Sequence, residues 1–362
     1  MCAQLFTQSQ HPHSSLAGFT VAGLGVGCYR MGHKHADVLA HVLQGAVNVI
    51  DTSTTYLGGE SESMIGQVLA SPTFCDRRKE MVVVTKVGYL QGPLLAEAAA
   101  LEAQNRLWPE VAKFHPQAWH CMHPSFIRHQ LEASRARLKG PADIVLLHNP
   151  EFFFTSVLGE GGSKGPKPPS EDDHRQFYER LEAAFVALEQ AADEGALSCY
   201  GLSTNPKGCR WSCSGLDNIW EATDIDRIMA AADSAARSLG RQEHRCRVIQ
   251  MPLNLLEPDA LVGPVKVLEQ CKQHGLDVMT HRPINAIPPP GFHVGDWARR
   301  ESFIKLRDRR PQPPALALIA AVCRSVLPDD DLAGGVLSGC RGGRAARPRL
   351  SPCQSPPLHL RS

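Results

Sequence analysis

The sequence predicts an α/β fold, a (β/α)8 TIM-type barrel incomplete at its eighth strand, and three observations carry that expectation. Short apolar runs alternate with longer segments of helical period, again and again in the same order, which is the pattern of βα units around a parallel sheet. Glycines stand between several helical segments and the next apolar run, where a helix ends most easily. Polar residues able to do chemistry end successive runs, and the C-terminal ends of the strands are where such a barrel opens its mouth.

Taken in order, the first strand is expected at Thr20 to Gly25. Gly23, Gly25 and Gly27 are not followed by the helix-opening glycine of a dinucleotide fingerprint, so they read as close backbone packing. A helix with Val38 and Val42 on its apolar face leads through Gly45 to a strand at Val47 to Asp51. Met64, Ile65, Val68 and Leu69 mark the next helix, before Met81 to Lys86. Ile127, Leu131 and Leu138 share a face ahead of Asp143 to His148. Phe177, Leu181, Phe185 and Leu188 do the same before Gly195 and Cys199 to Ser203. Val248 to Pro252 follows, then a helix with Leu261, Val265 and Leu268, Gly275, and a last run at Leu276 to Thr280, making seven strands. Gly45, Gly195 and Gly275 are each expected to be left-handed. Tyr89 to Pro124 and Asn149 to Asp173 are long connections after strand ends, the second rich in Gly, Pro and Lys at Gly159 to Pro169. Long loops on that face carry specificity.

The whole chain narrows the function. Its 362 residues are 43% hydrophobic, enough for a large core. With 38 basic and 37 acidic residues and a net charge of +1, the balance points away from nucleic acid and anionic membranes and toward a small-molecule substrate. No run approaches membrane-spanning length. The 12 cysteines include no CxxC and follow no secretory leader, so reduced thiols and a cytoplasmic location are expected. Residues Met1 to Gly18 lack acids but also lack arginine, a weak match to an organellar transit peptide. No aromatic residue follows Phe303, one helix is expected at Pro314 to Leu327, and Gly, Arg, Pro and Ser dominate from Gly334 onward. The expected division is a flexible segment at 1–17, a barrel at 18–328 and a disordered tail at 329–362.

Asp51, Lys86 and His148 end three successive runs, and Tyr56 lies five residues into the loop after Asp51. Each alone has an ordinary reading: a turn acid, a snorkelling lysine, a loop histidine, a rim aromatic. Together they make coherent machinery. A lysine beside a tyrosine favours the phenolate and lowers its pKa, while an aspartate keeps the lysine charged. A histidine can aim a carbonyl oxygen at the tyrosine hydroxyl, and a nicotinamide must supply the hydride because no side chain can. His115, His120, Cys121 and His123 fit no standard zinc spacing, so a histidine-rich substrate loop is expected there rather than a metal, and Cys209 and Cys213 read as free thiols.

The pieces Gly25 to Met31, Asn48 to Tyr56 with Gly59 to Gly66, Val84-Thr-Lys86, Asp143 to Pro150 and Tyr200 to Asn205 resemble the aldo-keto reductases over about residues 18 to 305. The resemblance implies a catalytic tetrad of Asp51, Tyr56, Lys86 and His148. It also implies cofactor contacts from Asp51, from Ser203 and Asn205 as a carboxamide-holding pair, from Gln250 completing that contact, and from His281 where an aromatic often stacks on the nicotinamide. NADP is implied ahead of NAD, a carbonyl or sugar as substrate, and a monomer. Nothing after Asp308 resembles the family's eighth strand and its basic adenosine-binding segment, and an altered reading frame or retained intron is the expected origin of that stretch. The expected function is NADP-dependent interconversion of aldehydes or ketones, sugars included, with alcohols. The alternatives are an inactive binding or regulatory relative, and a lyase or aldolase with Lys86 as a Schiff-base amine.

Overall fold

The chain enters the fold through a hairpin, β1 (His13–Leu16) pairing antiparallel with β2 (Phe19–Ala22). Its two-residue turn needs two positive φ angles, and Ala17 at 52° and Gly18 at 87° supply them, as a turn matched to strand twist requires. β1 lies inside the segment expected to precede the domain. The computed structural model describes residues 13–158, 169–204, 224–253, 259–262, 265 and 267–282. All fall in the first of two compact units, 1–301. The second, 302–362, lies outside the described residues together with the expected helix Pro314 to Leu327 and the expected tail.

Seven parallel strands follow: β3 (Gly25–Gly27), β4 (Val49–Asp51), β5 (Val82–Val87), β9 (Ile144–His148), β10 (Cys199–Ser203), β11 (Cys246–Pro252) and β12 (Asp277–His281). They pair in that sequential order, with helices in the connections. This is (β/α)8 barrel architecture carrying seven described strands. The expected first strand at Thr20 to Gly25 is corrected: those residues are divided between the hairpin and β3. The cause is packing, because Leu16 and Val21 are needed against the inward-facing Val49, Val82, Val84, Ile144, Leu146, Cys199 and Val248. Ala17 N–H donates to Asp277 Oδ2 and Ala22 N–H to Asn48 Oδ1, tying the hairpin to the sheet.

Side chains alternate across a strand. The opposite faces, with Ile50, Val83, Val145, Leu147, Leu202, Ile249 and Met251, form the larger core beneath the helices. α2 (Glu60–Leu69) buries Met64, Ile65, Val68 and Leu69, and α4 (Pro124–Leu138) buries Ile127, Leu131 and Leu138. α6 (Glu171–Asp193) buries Phe177, Leu181, Phe185 and Leu188, and a capping box of Ser170 and Asp173 opens it. α1 (Ala36–Gln44) differs: Leu39 and Leu43 are buried, whereas Val38 is 55% exposed. The leucines, one residue on, reach the core more deeply from the same spacing. Gly195 and Gly275 are left-handed at 71° and 65°, but Gly45 is extended at φ −82°, its N–H closing on Val42. The expected helix at Leu261 to Leu268 is two short ones, α8 (Asp259–Val262) and α9 (Val267–Gln273), which bury Ala260, Val267 and Cys271. α7 (Ile225–Ser238) connects β10 to β11 and packs against α6.

The long connection after β5 is a folded module. It contains β6 (Tyr89–Gln91), α3 (Pro93–Ala103), β7 (Ala112–His115) and β8 (Ala118–His120), with the strands in an antiparallel sheet ordered β6-β8-β7. Leu90, Ala98, Cys121 and Phe126 give it a small core. After β9, α5 (Phe152–Leu158) packs against β7, and 159–168 lie outside the described residues.

Candidate active site

The stretch from Asp51 to Gly59 is shaped by its neighbours. Thr52 N–H donates to Val84 O and Thr54 N–H to Lys86 O, so the chain runs alongside β5 after β4 has ended. Thr54 Oγ1 donates to the same Lys86 carbonyl at 2.9 Å, and Gln130 of α4 donates to Thr54 Oγ1 at 3.1 Å. Tyr56 then opens a tight turn in which Leu57, Gly58 and Gly59 have φ of 51°, 65° and 95°. Glycine takes such angles without strain. At Gly59 a Cβ would also lie 2.9 Å from the Arg137 side chain. The turn aims the phenol at the strand ends.

Lys86 ends the inward column Val82, Val84, Lys86 of β5, and its side chain is only 2% exposed. Its ammonium donates to Asp51 Oδ1 at 2.7 Å, Thr52 O at 2.8 Å and Tyr56 Oη at 3.4 Å. Those bonds use all three of its donors. Burial opposes the charge, but Asp51 and Tyr56 outweigh it and hold the lysine above its ordinary 10.5. At Tyr56 burial, which the sequence does not show, exceeds the expected pull of the lysine. Burial pushes its hydroxyl up, the Lys86 charge pulls it down and Asp51 pushes it up again, leaving it above 10.0 and protonated at neutral pH. Tyr29 packs edge-on against it, with ring centroids 5.0 Å apart.

His148 ends β9, and its ring lies 6.1 Å from that of Tyr56. Burial first, then the charges of Lys86, His120 and His281, hold it well below 6.5, so it is a neutral imidazole. Asp51, Tyr56, Lys86 and His148 thus occupy one end of the sheet.

A second set adjoins them. Ser203 Oγ donates to Gln250 Oε1 at 2.8 Å, and Gln250 Nε2 donates to Asp51 Oδ1 at 2.9 Å. An unbroken chain of hydrogen bonds therefore runs from Ser203 through Gln250, Asp51 and Lys86 to Tyr56. His281 ends β12, half-buried, and is pushed down to about 3 by burial and by the charges of Arg282 and Lys86. Asn205 lies outside the described residues, as do Cys209 and Cys213.

Several neighbours have contacts to which the sequence assigned no individual role. Tyr89, at the start of the module, packs edge-on against His148 with ring centroids 4.6 Å apart. His120 Nε2 lies 3.0 Å from His148 O, and Gly88 makes room for it, since a Cβ there would be 2.5 Å from that nitrogen. Asn149 has a left-handed φ of 51°, which asparagine tolerates, and links Tyr89 Oη to the buried Glu151. The residues of the His/Cys-rich stretch go separate ways: His123 caps α4, Cys121 bonds Pro109 O and His115 bonds Gln117 N. Among the described residues no group of three or more His, Cys, Asp or Glu side chains is placed to hold a metal, and no helix is long and apolar enough to cross a membrane.

The chain matches the model of the aldo/keto reductase family over residues 24–286, and it belongs to that family. Membership places it among oxidoreductase enzymes. Among solved structures, it is similar to an aldo-keto reductase from Bacillus halodurans in its holo form, at 18% identity and a TM-score of 0.51, covering 88% of this chain and 84% of that one. A glycerol dehydrogenase from Gluconobacter oxydans is 16% identical at a TM-score of 0.47, covering 87% and 83%. An aldo-keto reductase from Klebsiella pneumoniae in complex with NADPH is 18% identical at a TM-score of 0.45, covering 75% and 68%. At such identities the likeness concerns fold alone, and the first of the three carries it. No curated protein matches the chain.

Proposed function

We propose that the chain interconverts aldehydes or ketones, sugars included, with alcohols, using NADP in preference to NAD. Asp51, Tyr56, Lys86 and His148 are the residues assigned to catalysis, and the saturated, charged Lys86 beneath the protonated Tyr56 is the observation that carries the reading. The fit to a nicotinamide rests on Ser203 and Gln250, both buried and paired, which retain further donor and acceptor capacity suited to a carboxamide. With Asp51, Asn205 and His281 they would hold that end of the cofactor. The cofactor, when bound, supplies the hydride.

The chain's own part is proton transfer and positioning. In reduction, the Tyr56 O–H bond breaks as its proton passes to the carbonyl oxygen, and the Lys86 ammonium stabilises the phenolate left behind. Asp51 balances the lysine charge. Neutral His148 donates a hydrogen bond that orients the oxygen, and charge developing there meets preorganised donors in a site of low polarity. Oxidation of an alcohol reverses each step. The Schiff-base alternative needs a neutral, unengaged amine, and Lys86 is charged with every donor directed.

Tyr56→Phe tests the reading. Turnover is expected to fall by roughly 100-fold or more, the range for losing a general acid, while NADPH fluorescence titration still reports binding. Unchanged turnover ends the assignment, and a wild-type chain that binds no NADPH points instead to a non-catalytic relative.

A further inference from the structure

Ser53 is fully buried between Thr52 and Thr54, and the tetrad does not include it. Its Oγ lies 3.3 Å from His148 Nδ1, 3.3 Å from Thr55 Oγ1 and 3.4 Å from Lys86 O. One hydroxyl proton can serve one strong bond. Lys86 O already accepts from Thr54 N and Thr54 Oγ1, at 3.1 and 2.9 Å. Between the remaining two acceptors, an unprotonated imidazole nitrogen is stronger than a hydroxyl oxygen. Thr55 N–H, directed at Ser53 Oγ from 3.5 Å, occupies an acceptor site of the hydroxyl and helps turn its proton toward the ring.

We infer that Ser53 is a positioning residue that donates to His148 Nδ1 and so fixes the imidazole in its Nε2–H form. A neutral imidazole carries one proton, so a bond accepted at Nδ1 leaves Nε2 as the donor. His148 Nε2 bonds no described residue, which keeps that donor available to an oxygen at the mouth. The opposite tautomer would present a lone pair where the proposed reaction needs a hydrogen bond, and the oxygen would lose its orientation. The inference rests on the role given to His148 above, but the tautomer can be measured whether or not the reaction is the right one.

The test is nitrogen-15 NMR of the labelled full chain at neutral pH, correlating ring nitrogens with carbon-bound protons. The His148 signals are assigned by their loss in His148→Gln. Wild type is expected to show Nε2 protonated and Nδ1 as the acceptor. Ser53→Ala is expected to show a mixture, with kcat/KM lowered about 10- to 100-fold, the scale of losing an outer partner of a functional imidazole, and with NADPH binding unchanged. Ser53→Thr, which keeps the hydroxyl, should restore the single tautomer. An Nδ1–H signal in wild type overturns the inference, and so does a pure Nε2–H signal in a folded Ser53→Ala protein. If no carbonyl or sugar is turned over but the tautomer follows Ser53 as described, the proposed reaction falls while the positioning role stands.

Discussion

Three directed bonds on Lys86 make its charge a fixed part of the site. Tyr56 illustrates the competition this sets up: burial outweighs the lysine's pull, so the phenol stays a proton donor through neutral pH. The sign of the pH dependence follows. The proposed reduction needs the protonated phenol, so kcat/KM for a carbonyl should stay flat through neutrality and decline only as pH climbs past the ordinary tyrosine value of 10.0. Alcohol oxidation needs the phenolate and should rise with pH over the same span. Paired pH profiles check this, and a reduction rate already falling below pH 8 would show that another group governs the step. Asp51, Lys86 and His148 were legible in the sequence because each ends an apolar run. Ser53, Tyr89 and His120 were not, because their importance comes from contact with His148, 95, 59 and 28 residues away in the chain respectively, and no local pattern encodes such a contact.

Among the helices, α2 and α4 hold the candidate-site loop from behind. Glu62 of α2 is fully buried, and it accepts from Thr85 Oγ1 of β5 at 2.6 Å and from two residues of α4, Ser134 Oγ at 2.6 Å and Arg137 Nε at 2.7 Å. Arg137 in turn fills the space beside Gly59 at the end of the Tyr56 turn. Glu62→Ala should cost about 3–5 kcal/mol, as breaking a buried ion pair does, read as a lower urea midpoint. A cost under 1 kcal/mol would mean that water replaces the carboxylate. The large-residue helices α2, α4 and α6 were legible from their spacing. α7 was not, because its buried face is mostly Ala231, Ala232, Ala235 and Ala236 with Ile228 and Met229, too small to stand out as an apolar stripe. The module after β5 escaped notice for a related reason: its strands are three or four residues long, too short for alternation to register.

Across the molecule, the hairpin and the inward-facing side chains of the sheet form a core separate from the one beneath the helices. Leu16 belongs to this inner core and is 6% exposed. Leu16→Ala should lower stability by about 2–4 kcal/mol without changing kcat of the folded protein, since it packs with the apolar row Val49, Val84, Ile144 and Val248 of the sheet. A matching loss of kcat, measured where the variant is still fully folded, would mean that the two ends of the interior are mechanically coupled. The parallel sheet itself was legible because its strands are apolar runs in a repeating order. The hairpin was hidden because its second strand runs into the glycine-rich start of the first βα unit.

Along β4, β5, β9 and β11 the inward column passes from Val49 to Asp51, Val84 to Lys86, Leu146 to His148 and Val248 to Gln250, each a step of two residues. Foldedness and reactivity are therefore written on different rows of the same columns. A lineage can rewrite the upper row while the lower rows go on holding the strands together, so a descendant of this chain could lose its chemistry, or acquire another, and still inherit its shape.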